Sequence, residues 1–68
     1  MDIIEQMKNS QFRRIKLIEK DGTVTTGYVD VYEDRSKNEE DEACILYQCD
    51  GGPSLVIFKH DIQSIEII

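Results

Sequence analysis

The chain has no tryptophan, one proline, one histidine and two cysteines among its 68 residues. Each shortage excludes something. His60 with two thiols supplies no CxxC pair and no fourth soft ligand, so a structural metal site is not expected. Cys44 and Cys49 lie five apart in what reads as one strand, an odd spacing that turns them to opposite faces. At about 3.3 Å per residue they sit roughly 16 Å apart, beyond the Cα separation a disulfide tolerates. They are expected as reduced thiols. The opening MDIIEQMKNS lacks the basic region and apolar core of a signal peptide, which together with the thiols points to a cytoplasmic protein. No apolar run approaches membrane-spanning length. No Ser or Cys stands in a nucleophile motif, and adjacent residues such as His60 and Asp61 rarely orient each other productively. Asp61 reads instead as the cap of a turn before Ile62. No catalytic residue and no cofactor is expected, and the chain is not expected to be an enzyme.

What is present begins with size. Residues 1–68 make one domain, and a chain this short buries only about 60% of the surface its unfolded form exposes. Small domains compensate with disulfides, a metal or a partner subunit. With the first two disfavoured, self-association is the expected route. Charge is uneven: residues 1–20 carry five bases and three acids, the remainder three bases and eleven acids, for a total of −6. A net-negative surface repels phosphate at long range and argues against general nucleic-acid binding.

The pattern predicts a short helix and five strands. Asp2 followed by Glu5 fits a capped helix start, with Ile3, Ile4 and Met7 on one face and an end near Asn9 or Ser10. So short a helix is stable only if that face lies on something, most naturally the open end of a barrel. The first strand runs from about Phe12 to Glu19, and Lys20-Asp21-Gly22 forms a tight turn. The second strand, Thr23 to about Glu33, places Val29 and Val31 on one face, and Tyr28, Asp30 and Tyr32 on the other. Gly27 within it marks a bulge or sharp bend. Asp34 to Asp41 is an acidic loop. The third strand spans roughly Glu42 to Cys49, and Asp50-Gly51-Gly52-Pro53 turns it into the fourth, Ser54 to Phe58. Leu55, Val56, Ile57 and Phe58 are apolar without alternation, so both faces are expected to be covered. Lys59-His60-Asp61 leads into the last strand, Ile62 to Ile68.

Two constellations invite sharper readings. Asp34, Ser36 and Asn38 stand at alternate positions like the start of a calcium loop, but Glu39 replaces the required Gly and Ile45 the closing Glu. A solvated acidic loop accounts for them. Tyr28, Tyr32 and Tyr47 suggest a stacking platform for bases, and Arg13, Arg14 and Lys16 a phosphate anchor, with Tyr28 and Tyr32 on one face beside Arg14 or Lys16. Cross-strand packing and an ordinary exposed strand face account for the same residues.

Lys20–Tyr32, KDGTVTTGYVDVY, is similar to the first half of the first Sm motif, and Asp61–Ile68, DIQSIEII, to the final strand of that fold. With the element order, the chain resembles the Sm-like family of small β-barrels. The resemblance implies a mainly β fold: a short N-terminal helix and a five-stranded, strongly bent SH3-like barrel. It also implies pairing of strand four of one subunit with strand five of the next, a seam made here by Leu55, Val56, Ile57, Phe58, Ile65, Ile67 and Ile68. The family's base-binding residues are not matched: Glu33 stands at the expected Asp, Asn38 falls one residue late, and Phe58-Lys59-His60 replaces Arg-Gly. The expected function is a self-associating binding or scaffold module, a homo-oligomer with room for a protein partner. The alternative is an RNA-binding regulator using Arg13, Arg14, Lys16, Tyr28 and Tyr32.

Overall fold

The computed structural model describes residues 2–34 and 42–68. In chain order these form α1 (Ile3–Ser10), β1 (Arg14–Glu19), β2 (Val24–Glu33), β3 (Cys44–Cys49), β4 (Ser54–Phe58), a 3₁₀ turn (Lys59–Asp61) and β5 (Ile62–Ile67). All pairings are antiparallel, and the sheet order is β4-β3-β2-β1-β5. The calcium-like Ser36 and Asn38 lie outside the described residues.

Local chemistry explains the element ends. Asp2 caps α1, its Oδ1 accepting from the Ile4 amide at 2.7 Å, which satisfies one of the donors a helix start leaves open. At the β1–β2 turn Gly22 adopts φ +95, and Asp21 Oδ1 accepts from the Thr23 amide at 2.8 Å. The first strand starts at Arg14 rather than Phe12, because Phe12 takes φ +63. That left-handed geometry costs a bulky residue roughly 1–2 kcal/mol. It persists where the Phe12 amide donates to the Val29 carbonyl at 2.8 Å and swings the chain from helix into sheet.

The inner face of the sheet holds the core. Ile15 and Leu17 of β1, Val29 of β2, Ile45 and Tyr47 of β3, Ile57 of β4, and Ile62 and Ile65 of β5 are buried, with Met7 of α1 closing over them. Cys44 and Cys49 are free thiols. Cys49 packs against the core and pairs with the inner-face Gly27, whereas Cys44 lies in register with Glu33 and Phe58 on the outer face.

Two departures from expectation set the shape. The first is the bulge of β2, which falls at Asp30: Val29 opposes Tyr47 and Val31 opposes Leu46. One extra residue reverses the alternation. Val31 therefore turns outward and Tyr32, opposite the buried Ile45, turns inward against the core. The expected sharing of one face by Val29 and Val31, and by Tyr28 and Tyr32, is corrected accordingly.

The second departure is closure. The five strands form an open sheet with β4 and β5 as its edges, not the closed barrel expected. The sheet is nevertheless strongly bent. Phe58 and Ile62 are four residues apart, a reach of about 14 Å at most, whereas edges four strand spacings apart in a flat sheet would be about 19 Å from each other. The turn between them bonds to both ends, the Lys59 amide donating to Ala43 and the Lys20 amide to Asp61, at 2.9 and 2.8 Å. A side chain from α1 occupies part of the β5 edge: Gln6 Oε1 accepts from the Ile65 amide at 3.0 Å. A closing strand would need that donor.

Candidate functional site: the open sheet edges and the basic strand

Backbone alternation determines what each edge offers. On β4 the Lys59 amide and the Pro53 carbonyl bond toward β3, so the ladder turns the polar groups of Ser54, Val56 and Phe58 to the free side. On β5 the Ile68 amide donates to Arg14 at 3.1 Å, so the amides of Ile65 and Ile67 face away from β1. Gln6 takes the first of these. The open section of β5 is thus its C-terminal end.

The seven expected seam residues divide in two. Ile57 and Ile65 are core residues, and Phe58 is half-buried. Leu55 and Val56 on β4 are 42% and 51% exposed, and Ile67 and Ile68 at the end of β5 are 44% and 61% exposed. The expectation that both faces of the fourth strand are covered fails within one chain. Among the described residues, large aliphatic side chains stand beside backbone that has no strand partner at both ends of the sheet.

The structure distributes the basic and aromatic residues differently from the sequence reading. Arg14 is bound to Asp50 through both terminal nitrogens, at 3.0 and 2.5 Å. Thr26 Oγ1 also donates to Asp50, at 2.8 Å, and together these hold the Asp50 carboxyl down to about 2. Lys16 pairs with Glu66 at 3.8 Å. Arg13 is exposed. Tyr28 opposes Arg14 on the outer face, but Tyr32 faces inward and donates to Asp34 at 2.7 Å, with Lys8 Nζ 5.9 Å from its ring centroid. Burial first, then the bond to Asp34, pushes the Tyr32 phenol up to about 12. Tyr47 is buried in the core, its hydroxyl 2.8 Å from Thr25 Oγ1. No stacking platform results: one tyrosine of the three remains on the outer face.

His60 has a partner the sequence did not suggest. Its Nδ1 lies 2.7 and 2.9 Å from the two Glu42 carboxylate oxygens, and its amide donates to Glu42 at 2.6 Å. Asp61 is 3.4 Å from Nε2, and the Phe58 ring stacks on the imidazole at 6.1 Å between centroids. The bond to Glu42, with Asp61 adding its charge, raises the imidazole pKa. Glu42, just before β3, ties that strand's approach to the β4–β5 turn. Among the described residues, no group of three His, Cys, Asp or Glu side chains could hold a metal ion. No helix among the described residues is long and apolar enough to cross a membrane.

Compared with protein-family models, curated proteins and solved structures, the chain matches none of them.

Proposed function

We propose that this chain is a non-enzymatic interaction module that self-associates, the open edge of β4 in one copy meeting the open end of β5 in the next. The observation that carries the reading is the pair of free edges at opposite ends of the sheet order, each flanked by two exposed aliphatics: Leu55 and Val56, Ile67 and Ile68. Edges of this kind either pair with another chain or aggregate. Because two different edges meet, the contact is head-to-tail and repeats until a ring closes or a filament grows. In the Sm-like family that the sequence resembles, strands four and five make the subunit seam, and an Sm-like ring is the assembly this reading favours. The bond from Ile65 to Gln6 directs the contact to Ile67 and Ile68.

Light scattering across a dilution series tests the reading. A multimer at micromolar concentration is expected. Val56→Lys and Ile67→Lys should each dissociate it with the circular dichroism unchanged, since both side chains are exposed and an edge lysine opposes strand pairing. A wild-type chain that is monomeric at micromolar concentration sinks the proposal.

A further inference from the structure

The outer face of the sheet carries a feature that extends from the β4 edge onto the interior strands. The register sets Val31 of β2 opposite Leu46 of β3, and Leu46 opposite Val56 of β4. Directly opposed side chains on one face lie about 5 Å apart at Cβ, so the three form a continuous aliphatic row across the strands. Phe58 borders the row from the next register position, opposite Cys44. Val31, Leu46 and Phe58 are half-buried and Val56 is exposed.

Two carboxylates flank this row, and among the described residues neither is in an ion pair with a cation. Asp30, at the bulge, accepts from the Gln48 side-chain amide at 2.6 Å. Glu33 lies 3.9 Å from the Cys44 sulfur. Both acids are half-buried, and an amide and a thiol neutralise neither charge. The other half of the same face is different: Arg14 is matched by Asp50 and Lys16 by Glu66. Among the described residues, Arg14 and Lys16 on this face are matched by acids, while the acids beside the apolar row have no matching base. Negative charge beside an apolar patch selects partners that carry positive charge.

We propose that the outer face of β2–β4 is a docking surface for a cationic, apolar segment of a partner protein. Aliphatic side chains of that segment cover Val31, Leu46 and Val56, and its Lys or Arg side chains reach Asp30 and Glu33. Charge complementarity chooses the occupant. A nucleic acid or an acidic peptide would meet like charge at the rim, reinforced by the net charge of −6. The inference does not rest on edge pairing, because Val31 and Leu46 belong to interior strands and only Val56 is shared with the β4 edge.

The test uses the full chain, amide NMR and three capped peptides: alternating Lys and Val, alternating Glu and Val, and Lys alone. The Lys–Val peptide is expected to shift the amides of Val31, Leu46, Val56 and Phe58, with affinity falling as salt rises. The other two peptides should leave these amides unmoved. Val56→Ser should weaken binding about fivefold through lost apolar contact. Asp30→Asn with Glu33→Gln, which keep shape and remove charge, should weaken it and abolish the salt dependence. Three results would each overturn the proposal: no shift with the Lys–Val peptide, an equal response to Lys alone, or shifts confined to Leu55, Ile67 and Ile68.

Discussion

The ring of Tyr47 packs directly onto the backbone of Gly27. A Cβ added at Gly27 would stand 2.8 Å from Tyr47 Cε1 and 2.2 Å from the Gln48 carbonyl oxygen. The glycine, opposite Ile15 on one side and Cys49 on the other, therefore lets the largest buried side chain seat itself against β2. Gly27→Ala should cost at least about 1–3 kcal/mol, the usual range for overpacking a close-packed core. In a domain this small that is a large fraction of the whole stability. Urea denaturation followed by circular dichroism measures it, and a loss under about 0.5 kcal/mol, the scale of an ordinary surface change, would contradict this packing.

Gln6 reaches from α1 to the Ile65 amide across 59 positions of sequence. Gln6→Ala removes the acceptor, and a partly buried donor left unmade costs about 1–3 kcal/mol. Hydrogen exchange at Ile65 should accelerate in the variant while the amide of Ile68, bonded to Arg14, keeps its protection. Unchanged exchange at Ile65 would mean that the helix does not hold that edge.

The contact of His60 with Glu42 makes a pH-dependent clasp. Hydrogen bonding to Glu42 raises the His60 pKa above its ordinary 6.5, so its contribution is complete below 6.5 and is lost as pH rises through the higher folded value. Hydrogen bonding from His60 lowers the Glu42 pKa below its ordinary 4.5, so that contribution is complete above 4.5 and is lost as pH falls through the lower folded value. The clasp is strongest between these two ordinary values. An NMR titration of the imidazole should give a midpoint above 6.5 in the wild type and a lower one in Glu42→Gln. Equal midpoints in the two proteins would count against the contact.

The ion pair of Arg14 with Asp50 pins the β3–β4 turn to β1. Both side chains are about half exposed, so the pair's effect is modest and screened by salt. Its pH signature is specific. Two side-chain hydrogen bonds, from Arg14 first and Thr26 second, hold the Asp50 pKa at about 2. The associated stability is present above the ordinary value of 3.8 and is lost as pH falls through about 2. Carboxyl-carbon NMR should show the Asp50 midpoint rising toward 3.8 in Arg14→Ala.

The features legible in the chain are local ones. The helix start at Asp2, the turns at Asp21-Gly22 and Asp50-Gly51, the five strands and the opposite faces of Cys44 and Cys49 follow from capping, φ preference and period-two alternation, interactions spanning a few residues. The tertiary structure alone decided the rest. The extra residue at Asp30 sits in an unbroken strand pattern with no glycine or proline beside it to mark it, yet it sends Tyr32 inward and Val31 outward. Phe12 takes a conformation its side chain disfavours because the Val29 carbonyl holds its amide. Arg14 with Asp50, Glu42 with His60 and Gln6 with Ile65 are 36, 18 and 59 positions apart, and no periodicity reaches that far. Those contacts occupy Arg14, hold His60 at a turn and block part of the β5 edge. They exist only once the bent sheet has brought its distant ends together.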